Sequence, residues 1–368
     1  MKIPYLDLRE KNISHRRKLL GRFNRILKHG RIINGPEVKE FENKISRLLK
    51  RKYVVGLGSG SSALYLALKS LDIGPGDEVI TTPFTWIITI NAILQTGAKP
   101  KFADINNDLN INPNSIENLI TKKTKAIIPM HVGGHMCDMI KISQIAKKNN
   151  LHIVEDAAQA ICSSLNGKKA GDFSTVSAFS LNPMKVLNAY GECGFVGTDS
   201  NKIRKKILML RHAGTAQDKK KIKINNCYYP SLNHKIDTLQ ASLVLENLKK
   251  LKNKWRYREK IAKIYDSELK DLVNIQKYHK KEIHGRYLYI FTCENRNELF
   301  KNLKNKGIEC KIFYSPLASD APIFKNSLAA NIKNSRKLIK KSLSIPLHED
   351  LKEKQVSYIV NSIKKFYK

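Results

Sequence analysis

The sequence predicts an α/β fold, with a large domain built on a mainly parallel sheet and a smaller C-terminal α+β domain. Short apolar runs alternate with helix-like segments over the first 235 residues, which is typical of strand–helix–strand units. Most of these runs are apolar almost throughout, as expected for strands that are covered on both faces. Near residue 236 the pattern changes to a long helix and a short strand–helix alternation. We therefore predict domains at 1–235 and 236–368.

The elements of the large domain follow in order. A helix is predicted over 37–49, because Val38, Phe41 and Ile45 recur at a spacing of three to four residues. A strand at 53–57, a turn of small residues and a helix at 62–70 come next. Further strands are predicted from Glu78 onward and at 99–103, 125–130, 151–155, 175–179 and 193–198. In the small domain we predict a helix at 236–264, a strand at 287–292, a helix at 298–306, a strand at 308–313 and a helix at 354–366.

Composition limits the possible partners. The chain has 368 residues and a formal net charge of +35, with 52 Lys and 15 Arg. Such a charge is typical of nucleic-acid-binding proteins, but these cations are spread along the whole chain and are mostly Lys. Because Arg is preferred for bidentate recognition of bases and phosphates, we expect no nucleic-acid partner.

The cellular compartment and the absence of a metal site are predicted from features that the sequence does not contain. No apolar stretch approaches the roughly 18–20 residues of a membrane helix, and the N-terminus has no apolar signal core. The six cysteines form no C-x-x-C pair, which argues against a zinc site and a disulfide framework. We expect a cytoplasmic protein with no membrane partner and no metal.

Two segments carry candidate catalytic groups. The run IVEDAAQA at 153–160 is an apolar strand that ends in Asp156, with Gln159 three residues later. Ligands of open α/β sheets lie beyond the carboxyl ends of strands, so Asp156 is a candidate ligand-binding residue, although an aspartate here can equally cap the next turn. Lys185 follows another strand in SAFSLNPMKVLNAYGECG at 177–194. A lysine in such a position suits an amine nucleophile, but most lysines are simply solvated.

A third segment is suited to phosphate. In GSGSSAL at 58–64, Gly60, Ser61 and Ser62 lie at the predicted start of a helix, where backbone N–H groups bind anions. A tight strand-to-helix turn explains the same residues equally well. The order of phosphate-binding turn, acidic strand end and lysine is the one used by pyridoxal-phosphate enzymes of the aspartate-aminotransferase fold.

At this point the sequence closely resembles the DegT/DnrJ/EryC1/StrS family of sugar-nucleotide aminotransferases. The similarity covers nearly the whole chain, in the motifs IPYLDL at 3–8, NGPEVKEFE at 34–42, SGSSALYLAL at 59–68, GPGDEVITTPFTW at 74–86, TKAIIPMHVGG at 124–134, VEDAAQA at 154–160, NHKIDTLQAS at 233–242 and LSIPLHEDL at 343–351. It implies a fold-type-I pyridoxal-phosphate transferase. Its pyridoxamine phosphate form would be the intermediate of the cycle.

The resemblance also implies residue roles. Lys185 matches the Schiff-base lysine, and Asp156 matches the acid that pairs with the pyridine nitrogen. The remaining matches to cofactor-binding positions are Gly60, Ser61, Ser62 and Ser180 at the phosphate, Gln159 beside the ring and Trp86 stacked on it. Asn233 matches an asparagine that binds the phosphate from the neighbouring subunit, which implies at least a homodimer with shared sites.

Some positions depart from the family pattern or leave alternatives open. Lys235 replaces a common Arg, Ala318 replaces a frequent His, and Cys193 replaces a Gly and is expected to be a small packed residue. His131, at the end of a strand, is a candidate substrate-binding residue or, with equal weight, a structural histidine. Tyr314 lies in a segment that contacts the substrate in relatives.

The function implied by the resemblance is transfer of an amino group from L-glutamate to a nucleotide-linked keto-sugar, a 6-deoxy-hexose with the keto group at C4, for surface glycans. The motif ITTPFTW, which contains Trp86, favours C4. The alternatives are a 3-keto-sugar aminotransferase, a sugar dehydratase, against which Lys185 argues, and a basic nucleic-acid-binding or regulatory protein on the same fold.

Overall fold

The computed structural model describes residues 1–216, 226–324 and 331–368. Twelve α-helices occur in these ranges: α1 Ile13–His29, α2 Pro36–Leu49, α3 Gly60–Ser70, α4 Ile88–Gln95, α5 Pro113–Glu117, α6 Met139–Lys148, α7 Asn201–Arg211, α8 Thr238–Leu248, α9 Leu251–Leu269, α10 Arg296–Asn305, α11 Lys333–Leu338 and α12 Glu353–Tyr367. None of these helices is long and apolar enough to cross a membrane.

Thirteen strands occur in the same ranges: β1 Tyr53–Leu57, β2 Glu78–Thr81, β3 Lys99–Phe102, β4 Thr124–Ile128, β5 His152–Asp156, β6 Ser164–Leu165, β7 Lys168–Lys169, β8 Val176–Ser180, β9 Gly194–Thr198, β10 Asn274–Ile275, β11 Glu282–Ile283, β12 Tyr289–Thr292 and β13 Ser342–Ile345. Seven of them form the main sheet, in the order β1-β9-β8-β5-β4-β2-β3. Strands β8, β5, β4, β2 and β3 run parallel, and β9 is antiparallel to both of its neighbours. The predicted α/β fold with a mainly parallel sheet is confirmed.

Two apolar layers cover the main sheet. Because side chains alternate along a strand, Ile127 packs in the layer of α2, α6 and α8, whereas Ile128 packs in the layer of α3 and α7. Apolar side chains therefore cover both faces of the main sheet. The carboxyl ends of the strands remain as the place where polar side chains of the sheet can meet a ligand.

The C-terminal part has its own apolar core. Side chains of α9, α10 and α12 pack on β12 and β13, and Ile3 joins them from the N-terminus. Helix α8, by contrast, packs with the core of the main sheet through Ala241, Val244 and Leu245. The domain boundary at 235/236 stays a prediction, and this packing places α8 with the large sheet.

Two predicted elements were wrong. The single helix at 236–264 is two helices, α8 and α9, which meet at Lys249 and Lys250. The predicted strand at 308–313 forms only isolated bridges, from Ile308 to Ile3 and from Lys311 to Ser344. The strand that pairs with β12 is β13 instead. The prediction also lacked α1, α4, α5, α6, α7 and α11.

Candidate active site

Asp156 ends β5 at the centre of the main sheet, and its carboxylate is buried. The hydroxyl of Thr89 donates to one carboxylate oxygen at 2.8 Å, and the amide of Ala158 donates to the other at 3.2 Å. Burial raises the pKa of Asp156, while these two donors and the charge of Lys185 oppose the rise. The charge of Lys185 therefore favours the ionised form of Asp156.

Lys185 lies in the turn that follows β8. Its amide donates to the carbonyl of Asn182 at 2.8 Å, and the side chain of Asn182 accepts from the amide of Met184 at 3.1 Å. The Nζ atom of Lys185 lies 4.3 Å from the centre of the Tyr287 ring. This cation–π contact fixes the amine at a half-buried position. Sequence reasoning missed Tyr287, which is 102 positions further along the chain.

Helix α3 begins at the predicted phosphate-binding turn. Ser59 caps it by accepting from the amide of Ser62 at 3.0 Å, and Ser61 is exposed in the first turn. A Cβ atom on Gly60 would lie 2.7 Å from Cβ of Ser180. Only a glycine allows this approach, so the structure brings Ser180 against the N-terminus of α3, where N–H groups bind anions.

His234 also contacts this turn. Its Nδ1 lies 2.9 Å from Oγ of Ser62, and burial lowers the pKa of its imidazole. Its Nε2 is buried and has no hydrogen-bond partner among the described residues. An orphaned buried nitrogen costs free energy, which indicates a polar ligand group at this position. Sequence reasoning missed His234, although it lies next to the predicted Asn233.

Gln159 and Tyr314 are brought together beside Asp156. The amide of Gly133 donates to Oε1 of Gln159 at 2.7 Å, and Nε2 of Gln159 donates to the Tyr314 hydroxyl. Both side chains are buried, and burial raises the pKa of Tyr314 well above its usual value. This hydroxyl is therefore neutral and fixes the orientation of the Gln159 amide.

Three further predicted residues differ in their exposure. Trp86 is 62 % exposed. Asn233 is exposed, and its side-chain carbonyl accepts from the amide of Lys235 at 3.3 Å. His131 is fully buried, with its ring nitrogens 3.0 Å from Glu155 and 3.1 Å from the amide of Cys137. Since both nitrogens are engaged, the geometry favours the structural alternative for His131 over substrate binding.

The three residues that depart from the family pattern have defined surroundings in the structure. Cys193 is fully buried, and burial raises the pKa of its thiol well above the usual value, so it is a packed residue, as expected. The amine of Lys235 lies 3.1 Å from Nδ1 of His212. Ala318 is buried, and its amide donates to the carbonyl of Pro83 at 2.9 Å.

A cavity of about 710 Å³ adjoins Lys185. Its walls are residues 6–12 of the N-terminal segment, the Lys185 turn, the start of α9 and residues 348–350. Lys185 thus lines the cavity, and its charge also lowers the pKa of Asp156. The set of amine, buried carboxylate and helix N-terminus fits the aldehyde, ring nitrogen and phosphate of pyridoxal phosphate.

Comparison with known proteins gives one family. A profile of the DegT/DnrJ/EryC1/StrS aminotransferase family matches residues 14–364. The chain is 35 % identical to the "Pleiotropic regulatory protein" of Geobacillus stearothermophilus over 378 aligned positions, which cover 100 % of this chain and 99 % of the relative. It is 30 % identical to the "UDP-2-acetamido-2-deoxy-3-oxo-D-glucuronate aminotransferase" of Pseudomonas aeruginosa, with coverage of 97 % and 98 %. It is also 30 % identical to the "dTDP-3-amino-3,6-dideoxy-alpha-D-galactopyranose transaminase" of Aneurinibacillus thermoaerophilus, with coverage of 99 % and 99 %.

Solved structures agree with the sequence matches. The fold is similar to that of DesV from S. venezuelae in complex with a ketimine intermediate, with a TM-score of 0.94, 29 % identity, and coverage of 100 % of this chain and 99 % of that one. It is similar to NtdA from Bacillus subtilis with bound cofactor PMP, with a TM-score of 0.91, 26 % identity, and coverage of 99 % and 85 %. The chain belongs to the DegT/DnrJ/EryC1/StrS aminotransferase family and is a pyridoxal-phosphate-dependent sugar aminotransferase of fold type I.

Proposed function

We propose that this enzyme moves the amino group of L-glutamate to the keto carbon of a nucleotide-linked 6-deoxy-hexose. The observation that carries the proposal is the position of Lys185. Its charge favours the ionised form of the buried Asp156, and Lys185 also lines a cavity of about 710 Å³. A lysine placed in this way can act on both the cofactor and an incoming substrate.

Each residue of the site has a distinct task. Bound pyridoxal phosphate supplies an electron sink. Asp156 holds the proton on the pyridine nitrogen, and Lys185 binds the cofactor and then carries the proton that moves during amino transfer. Gly60, Ser61, Ser62 and Ser180 bind the phosphate at the N-terminus of α3. Gln159, which is fixed by Gly133 and Tyr314, lies beside the ring, and Trp86 covers it.

The cavity is suited to an anionic sugar nucleotide. Lys250, Lys254 and Arg258 line one wall. Lys254 and Arg258 are paired with Glu349 at 3.0 Å and 2.8 Å, whereas Lys250 forms no ion pair with a described residue. Burial lowers the pKa of Lys250, the charge of Glu10 opposes this fall, and the charge of Lys254 adds to it. Because Lys250 is not held in an ion pair by any described residue, we assign its amine to the phosphates of the substrate.

A homodimer with shared sites completes the proposal. Helix α1 carries an exposed apolar row of Leu20, Phe23 and Leu27, which is the type of surface that associates. Asn233 is exposed and free to reach a partner's phosphate site. Light scattering of the purified chain should give the mass of a dimer or a larger even oligomer.

The ring position is the finer part of the proposal. We propose the 4-keto sugar, as the motif around Trp86 indicates. A 3-keto sugar is the second candidate, because three relatives are named for an oxo or amino group at C3. A dehydratase is disfavoured by the retained Lys185.

The test is glutamate-dependent amination of a panel of nucleotide-linked 3-keto and 4-keto 6-deoxy sugars, followed by mass spectrometry. We expect amination of the 4-keto sugar, with Lys185→Ala inactive and Lys202→Ala, an exposed lysine on α7, as active as the wild type. Amination of the 3-keto sugar alone would overturn the ring position. A cofactor band that glutamate does not bleach would overturn the donor.

A further inference from the structure

A second polar cluster joins three distant segments of the chain. Asp108 lies in the loop after β3, His135 lies in the turn between β4 and α6, and His279 lies three residues before β11. One oxygen of Asp108 and one ring nitrogen of each histidine all lie within 4.8 Å of one another. The amino transfer proposed above uses none of these residues.

The surrounding groups hold both imidazoles in defined orientations. His135 is fully buried, with Nδ1 2.9 Å from Oε1 of Glu282 and Nε2 3.3 Å from Oδ2 of Asp108. His279 donates from Nε2 to the carbonyl of Met136 at 3.0 Å. One nitrogen of each ring is thus held by an outer oxygen, that of Glu282 for His135 and that of Met136 for His279. Nε2 of His135, which faces Asp108, and Nδ1 of His279 are the nitrogens that can bind a shared ligand.

The acceptor Glu282 is itself fixed. Its Oε1 also accepts from the amide of Met136 at 2.9 Å, and its Oε2 accepts from the amide of His279 at 3.0 Å. A carboxylate that accepts the second N–H of a histidine is the usual outer partner of a metal-binding imidazole, because it fixes the tautomer and raises the basicity of the ring. Glu282 has this relation to His135.

We propose that Asp108, His135 and His279 bind a divalent transition-metal ion, preferentially zinc. Two imidazoles and one carboxylate are a ligand set that zinc uses, with a fourth position left for water. Glu282 and the Met136 carbonyl are the outer partners of the two histidines.

Binding of one zinc ion requires the three ligands to move slightly closer together. Ligands at a tetrahedral zinc lie roughly 3.3 Å apart, given bonds of about 2 Å. Asp108 and His135 are already separated by 3.3 Å. The rings of His135 and His279 lie 5.1 Å apart and nearly parallel, at 26°, so the segment before β11 must bring His279 closer to the other two ligands. His279 is half-buried and lies in a loop.

The ion would fasten the loop after β3, the turn before α6 and the segment before β11. The loop after β3 and the segment before β11 are already joined by a hydrogen bond of 2.7 Å, which Gln276 Nε2 donates to the backbone carbonyl of Asp108. The turn before α6 also supplies the Gly133 amide that holds Gln159. The site is therefore structural and supports one wall of the catalytic centre.

A proton on His135 is the alternative to a metal ion at this site. Burial lowers the pKa of His135, but Asp108 and Glu282 outweigh burial and raise this pKa to about 9. Without a metal ion, His135 would be an imidazolium between two carboxylates. Measurement of metal stoichiometry distinguishes the two states.

The test is a titration of the tag-free, cofactor-loaded protein with CoCl₂ after removal of bound metals by EDTA. We expect a saturable visible cobalt spectrum at one equivalent per chain, which zinc abolishes by displacement. His279→Gln and Asp108→Asn should lose it, and Glu282→Gln should weaken binding by about 10- to 100-fold. His152→Gln, an exposed histidine at the start of β5, is the matched control and should bind like the wild type.

Two outcomes would overturn the site. One is a wild-type protein with no saturable one-to-one binding of cobalt or zinc, which would leave His135 as a buried cation. The other is an unchanged spectrum in His279→Gln and Asp108→Asn. Circular dichroism of both variants verifies that they fold. Neither readout depends on amino transfer, so failure of the metal site leaves the proposed function standing.

Discussion

A single methyl group tests how the phosphate-binding turn is built. In the variant Gly60→Ala, the new Cβ would lie 2.7 Å from Cβ, 3.1 Å from Oγ and 3.2 Å from Cα of Ser180. Carbon atoms pack favourably at about 3.5–4.0 Å, so the methyl group is too close by roughly 1 Å. Two of the three atoms that it meets cannot rotate away, and the N-terminus of α3 must shift relative to Ser180.

The cost follows from this overlap. Overpacking by one methyl group destabilises a protein by about 1–3 kcal/mol, which corresponds to about 5- to 150-fold in an equilibrium constant. Because the shift separates two parts of the phosphate site, we expect the cofactor dissociation constant to rise by at least about fivefold. The assay is titration of cofactor-free protein with pyridoxal phosphate, followed by its visible absorption.

Gly21→Ala is the matched control, since Gly21 is exposed on α1 and a Cβ there meets no atom within 4 Å. It should bind the cofactor like the wild type. If Gly60→Ala melts and binds like the wild type, the close approach of α3 to Ser180 is wrong. If Gly60→Ala is less stable than the wild type but binds the cofactor with unchanged affinity, α3 does approach Ser180 closely, but this contact does not form the phosphate site.

Three further predictions concern charge. Asp156→Asn removes a charge-assisted hydrogen bond of about 1.5–3 kcal/mol, so the cofactor dissociation constant should rise about 10- to 150-fold, whereas the exposed Asp271→Asn should leave it unchanged. Burial raises the pKa of Glu349, but Arg258 and Lys254 outweigh burial and hold it at about 2, so its contribution to stability is present above about pH 4.5 and is lost as the pH falls toward 2. Urea unfolding at pH 6 and pH 3 should show a smaller loss of stability in Glu349→Gln than in the wild type. Finally, the net charge of +35 should attract a sugar nucleotide, so kcat/KM should fall as salt rises, and a salt-independent kcat/KM would refute this.

Local patterns in the sequence were sufficient for the main sheet. The strand that ends in Asp156 and the helix that starts at Gly60 were predicted within a few residues, because apolar runs and turn residues are local signals. The break between α8 and α9 has no such signal. It falls at Lys249 and Lys250, with neither Gly nor Pro present.

The contacts of the site could be predicted only in part. Lys185, Asp156 and Gln159 lie in motifs that the resemblance identified. Their partners do not, since Thr89 and Asp156 are separated by 67 residues and join only when α4 packs on the sheet. His131 shows a different case, because its strand-end position left a substrate-binding and a structural role equally weighted, and only the tertiary packing shows that the ring contacts Glu155.

Identification of the lysine that binds the cofactor tests the central claim most directly. The cofactor-loaded protein would be reduced with borohydride, digested and analysed by mass spectrometry, so that one of 52 lysines carries the added mass. Lys185 lines the cavity and its charge lowers the pKa of Asp156, so we predict that the added mass is found on Lys185 alone and is absent in Lys185→Ala. An adduct on any other lysine, or an adduct that persists in Lys185→Ala, would contradict the assignment of the active site.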